Sequence, residues 1–261
     1  MLDSFKRLFS RPGNDRDLTP IADWAKRRGH GFKRARGEDG FVIDGVLEGR
    51  AWRLEWGPSQ RHYIEGHELR LRMELALPSD MQMLLLSRPL MDALERLTFE
   101  EFTDDVQTQI GTKTPEEMRW LVMFPKVNLG TMKTLRARFG AVASVPASGL
   151  AWIEGPLAHQ LEAASTGLLL GDPPFVLMTL RGRSYLRLQL AAPAPADVDA
   201  ALVLFETAVT QALRVSNTPP PDSALPEAAH DWGATGGTTA WQNFPDEPLP
   251  LPLPPPAPKR R

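Results

Sequence analysis

The chain has no cysteine, which excludes disulfides, thiol nucleophiles and cysteine-ligated zinc or iron–sulfur sites. No apolar run approaches the roughly 20 residues needed to cross a bilayer. The first residues lack the unbroken apolar stretch and small-residue cleavage site of a signal peptide, so a cytoplasmic address is expected. The compact catalytic signatures are missing too. There is no GxSxG elbow, no GxxxxGK[ST] loop, no GxGxxG turn between strand and helix, and no HExxH metal helix. The glycine-rich GATGGTT at 233–239 lies among prolines with no strand before it, so it does not read as a phosphate cradle. Neither a cofactor nor a metal is expected.

What is present is ordinary globular material. At 261 residues, with 42% hydrophobic and 24% charged side chains, the chain can bury a sizeable core as one large domain or two small ones. Arginine far outnumbers lysine, and alanine and proline are plentiful, which suits a bacterial source. The net charge of −2 conceals an asymmetry. Residues 1–36 carry ten basic side chains against four acids, a net +6, which leaves −8 for the remaining 225 residues. A basic head on an acidic body attracts anionic surfaces, whether lipid, nucleic acid or an acidic protein.

Composition divides the chain into three stretches. In the head, residues 1–17, Leu2, Phe5, Leu8 and Phe9 recur at helical spacing with Lys6 and Arg7 on other faces. That is a short amphipathic turn which could lie in a membrane interface or pack on its own domain. The body, 18–215, is expected to be one α+β domain. The tail, 216–261, holds twelve prolines in 46 residues and places Trp232, Trp241 and Phe244 among glycine and threonine. It is expected to be disordered, ending in polyproline II, with its rings either docking on the body or serving as a handle for a partner.

Within the body, Thr19-Pro20 predicts an N-cap and first helical residue, for a helix that stops at Gly29. The period then changes to two. FKRARG, GFVIDGVLEG and RAWRLEWG read as successive antiparallel strands. MQMLLLS reads as a further strand, or as the opening of the helix in SRPLMDALERL. Thr114-Pro115-Glu116-Glu117 predicts a capping box and a helix ended by Pro125. TMKTLRARFG predicts another helix with Gly140 just past its end, and LAWIEG a strand. Pro156 opens a helix, PFVLMTL and SYLRLQL form a hairpin across Arg181-Gly182-Arg183, and a long helix closes the domain from Pro195 to Val215. GRAWRLEW and GRSYLRLQL echo one another, as two duplicated halves would, or as any two hairpins would.

The segment 49–77 carries the densest pattern. Trp52, Leu54 and Trp56 share one face with Leu69, Leu71 and Met73. Arg53, Glu55, Glu68, Arg70, Arg72 and Glu74 share the other, a cross-strand charge lattice expected to lie in water. Glu65 and His67, two apart in HYIEGHE, would project to one side of an unbroken strand as an acid/base pair, unless Gly66 breaks the phase.

These features predict a non-catalytic binding or adaptor protein of the bacterial cytoplasm, with a protein as partner. Its basic head, through Phe5, Lys6, Arg7 and Phe9, could touch an anionic membrane surface, and Trp232, Trp241 and Phe244 could contact the partner. Two alternatives stay open. One is an enzyme whose scattered site includes Glu65 and His67. The other is a nucleic-acid binder using the basic segment 26–36, with Arg27, Arg28, Arg34 and Arg36.

Overall fold

The computed structural model describes residues 16–35, 39–104 and 115–218. Helix α1 (Thr19–Arg27) is followed by β1 (Gly31–Arg34), β2 (Phe41–Leu47), β3 (Arg50–Pro58) and β4 (His67–Glu74), an antiparallel meander as the period-two stretch predicts. Strand β5 (Met83–Ser87) and helix α2 (Arg88–Asp104) resolve the ambiguous MQMLLLS run in favour of strand and then helix. Next come α3 (Glu116–Met123), α4 (Lys133–Arg138), β6 (Phe139–Ala143), α5 (Pro146–Ile153) and α6 (Pro156–Ser165). The second hairpin, β7 (Phe175–Leu180) and β8 (Arg183–Gln189), is closed by the long helix α7 (Pro195–Ser216). The fold is α+β, and one eight-stranded antiparallel sheet, ordered β1-β2-β3-β4-β8-β7-β5-β6, unites both hairpin regions through the β4–β8 pair.

The strands differ in what covers them, and their composition says so. Every residue of β5, β6 and β7 is buried, so these strands are apolar on both faces. Strands β3 and β4 instead alternate: their apolar residues are buried on one face, and most of their charged ones are partly exposed on the other. The inner face carries Ile43, Trp52, Leu54, Leu71, Leu186 and Leu177 against Trp24 of α1, Trp152 of α5, Leu161 of α6 and Phe205 of α7. On the outer face a smaller core joins Leu84, Leu86, Val142, Val176 and Met178 to Leu90 and Leu94 of α2 and Met118 and Trp120 of α3. The outer helices therefore sit over the β5–β6–β7 side of the sheet.

Several local expectations need correction. LAWIEG is not a strand: residues 150–153 belong to α5, where Trp152 and Ile153 are both buried and the Trp152 indole N–H donates to the Ala208 carbonyl at 2.9 Å. Proline at 146 supplies the first helical residue of α5. Gly140 does not end a helix but lies in β6, paired with Leu86. Helix α1 begins at Thr19 rather than after it, and Asp17 accepts the Thr19 N–H at 2.9 Å. Helix α3 begins at Glu116 with Pro115 before it and no side-chain cap, while Thr114 lies outside the described residues.

The echo between GRAWRLEW and GRSYLRLQL has a local cause. Glu48-Gly49 and Arg181-Gly182 are both two-residue turns with positive φ at each position, 49° and 78° in the first and 49° and 76° in the second. That is the type I′ geometry which matches the twist of a hairpin, and glycine adopts it without a Cβ clash. Shared turn geometry accounts for the shared glycine.

Candidate binding surface

His67 belongs to a ladder of rings on the inner face. Phe32, Phe41, Trp56 and His67 stack in turn across β1 to β4, with centroids 5.8, 5.8 and 4.6 Å apart. The Arg16 guanidinium lies 5.1 Å over the Trp56 ring, whose indole N–H donates to the Leu190 carbonyl at 2.8 Å. His67 is the last rung of that ladder, and its Nε2 lies 3.6 Å from an Asp39 carboxylate oxygen.

Glu65 is not beside it on the strand. Gly66 has φ of 70°, so the alternation that would align the pair is broken before β4 begins. Glu65 is exposed, and its backbone N–H donates to the Gln189 side chain at 2.9 Å. Among the described residues, no group of three or more His, Asp or Glu could hold a metal ion.

The basic segment is partly tied into the body. Arg28 pairs with Asp199 of α7 and lies 5.8 Å over Trp24, fastening α1 to α7. Arg34 donates to the Arg16 carbonyl at 3.1 Å from β1. Arg27 is exposed in the last turn of α1. Arg36 lies outside the described residues, as do Phe5, Lys6, Arg7, Phe9, Trp232, Trp241, Phe244 and the tail from Pro219 onward. Among the described residues, no helix is long and apolar enough to cross a membrane.

The outer charge lattice departs most from expectation. It is not uniformly wet. Glu68 is fully buried, and one of its oxygens accepts from Arg187 at 2.8 Å, Arg70 at 2.9 Å and the Gln60 N–H at 3.0 Å. Arg70 also reaches Glu55 at 3.3 Å. From α3, Glu117 is equally buried and accepts from Arg61 at 2.7 Å and from the Tyr63 hydroxyl. Two guanidiniums and two carboxylates are thus held out of water where the β3–β4 loop and α3 close over the sheet. Burial alone would raise the Glu117 carboxyl, but the Arg61 charge, the Tyr63 hydroxyl and Arg187 outweigh it and hold the pKa below the ordinary 4.5. Burial, and then the Glu117 charge, push the Tyr63 hydroxyl well above its ordinary 10.0.

This network was not legible in spacing, because its members come from the β3–β4 loop, β4, α3 and β8. Alternation places Glu68 on the outer face. It does not say that a helix will cover that face.

Beyond the network the cover stops. Arg53, on β3, reaches Asp44 of β2 at 2.8 Å, with side chains 41% and 37% exposed, and Arg183 of β8 pairs with Glu74 of β4. Arg72 lies between them in register, directly opposite Arg53 on one side and Tyr185 on the other. Asp44, Ala51, Arg53, Arg72, Glu74 and Arg183 surround an open concavity of about 290 Å³.

No family model matches this chain. No curated protein matches it either. Among solved structures it is similar to the crystal structure of the mycobacterial trehalose monomycolate transport factor A, TtfA, with a TM-score of 0.43 and 8% identity, over 77% of this chain and 97% of that one. Likeness at that level carries no functional argument, and the reading below rests on the chain's own residues.

Proposed function

We propose that the chain is a non-catalytic binding protein, an adaptor of the bacterial cytoplasm, and that it seats a protein partner on the open part of its outer sheet face. The observation that carries this is the change of cover across one face. The helices α2 and α3 pack over the apolar strands, and the lattice of Asp44, Arg53, Arg72, Glu74 and Arg183 surrounds an open concavity instead. Cross-strand pairing already orders these side chains, so a partner would immobilise little that is not held. Arginine is also enriched in protein interfaces. Charges of both signs select a partner segment that itself carries both.

The test compares tagged full-length protein with Arg53→Glu, Arg183→Glu and a control reversal, Lys133→Glu, exposed on α4, which packs into the inner-face core. The expected result is a partner retained by wild type and Lys133→Glu and reduced at least tenfold by each arginine reversal, with thermal midpoints within a few degrees. Equal retention by all four proteins would show that the outer face is not the docking surface.

A further inference from the structure

A second concavity, also about 290 Å³, opens at the opposite edge of the sheet, and its charge is one-sided. Arg88, Lys126 and Arg136 line it together with Asn128, and among the described residues no carboxylate belongs to its lining. Glu95, outside that lining, takes Lys126 at 2.8 Å. Met91, Val127, Leu129 and Ala141 supply an apolar part of the wall.

Two features of the fold sharpen this imbalance. Helix α2 starts with Arg88 and has no acid in its first turn, so a cation sits at the positive end of a 17-residue helix whose first turn, through Arg88 and Met91, faces the cavity. Acidic side chains ordinarily occupy that position. Arg88 is also positioned rather than loose. It donates to the carbonyls of Phe139 at 2.7 Å and Arg136 at 3.1 Å, and it lies over Gly140, where an added Cβ would come within 2.1 Å of the Met91 sulfur and 3.0 Å of the Arg88 guanidinium. Glycine in the middle of a strand weakens it, and here it makes the room in which the cation is held.

We infer that this cavity binds a phosphate monoester, with the phosphate against Arg136, Lys126 and the α2 N-terminus and a small organic group against Met91 and Leu129. A phosphate monoester carries close to two negative charges at neutral pH. That charge answers a wall of three cations, of which Lys126 is shared with Glu95, better than a single carboxylate does. Guanidinium groups present paired N–H donors to phosphate oxygens, the amide nitrogen of Asn128 adds a neutral donor, and a helix N-terminus adds its dipole. The volume is at the small end for a ligand pocket. This site is separate from the proposed docking face and does not depend on it.

The test is calorimetric titration of the full-length protein with glycerol phosphate and with inorganic phosphate, for wild type, Arg136→Ala and Lys126→Ala. Both substituted side chains are exposed, and thermal midpoints check that the fold is kept. Saturable binding of glycerol phosphate is expected, tighter than that of inorganic phosphate and weakened at least tenfold in each variant. Sedimentation with phosphatidic acid or phosphatidylcholine vesicles then separates the sources. Co-sedimentation with phosphatidic acid alone, competed by glycerol phosphate, points to a lipid headgroup. Binding of glycerol phosphate without co-sedimentation points to a free metabolite. Absence of saturable binding, or equal binding by wild type and both variants, would overturn the inference.

Discussion

Glu68→Ala should cost about 3–5 kcal/mol of folding stability, the range for removing one partner from a buried ion pair. The loss comes from what stays behind. Arg187 is 2% exposed and lies directly opposite Arg70 across the β4–β8 pair, so without Glu68 two guanidiniums face each other beneath the β3–β4 loop. The Gln60 N–H loses its acceptor as well. Urea unfolding measures the change through the midpoint, with the slope held constant. The double replacement Glu68→Leu with Arg187→Leu should recover at least 1 kcal/mol of that loss, because it removes the buried guanidinium together with its carboxylate. A Glu68→Ala protein within 1 kcal/mol of wild type would mean that water reaches this network freely.

Trp152→Ala should have an effect of comparable size through a different mechanism. Trp152 is fully buried in the inner core, and its indole N–H is satisfied by the Ala208 carbonyl of α7. Truncation leaves a cavity between α5 and α7, a loss of about 3–5 kcal/mol for an aromatic core residue. At about 2–4 °C per kcal/mol for a domain of this size, the thermal midpoint should fall by about 10 °C. Trp152→Phe keeps most of the volume and loses the hydrogen bond, so it should cost much less. Equal losses for the two variants would assign the stabilisation to the hydrogen bond instead of the packing.

These two sites also show what the sequence could and could not disclose. Strands β2, β3 and β4 were readable because one face is apolar and the other charged, which leaves a period of two in the residues themselves. Strand β6 was not. FGAVA is short, buried on both faces, and follows directly on a helix, so its residues continue the helical run without a break. LAWIEG misled for the opposite reason: three bulky apolar residues close together suit a strand, but Pro146 upstream starts a helix that buries them between β6 and α7. Glu65 and His67 align only if Gly66 is extended, and spacing alone does not disclose its φ of 70°. The burial of Glu68 depends on Glu117, Arg61 and Arg187, and only the folded sheet brings those residues together.

The outer sheet face divides into a covered half, where charges are locked away, and an open half, where they stay in water. Arginine-selective labelling with phenylglyoxal, read by mass spectrometry on the native full-length protein, tests that division directly. Arg53 and Arg183, about 40% exposed, should be modified readily, while Arg61 and Arg187, at 8% and 2%, should stay protected until the protein unfolds. Modification of Arg187 in the native protein as fast as Arg53 would contradict the account.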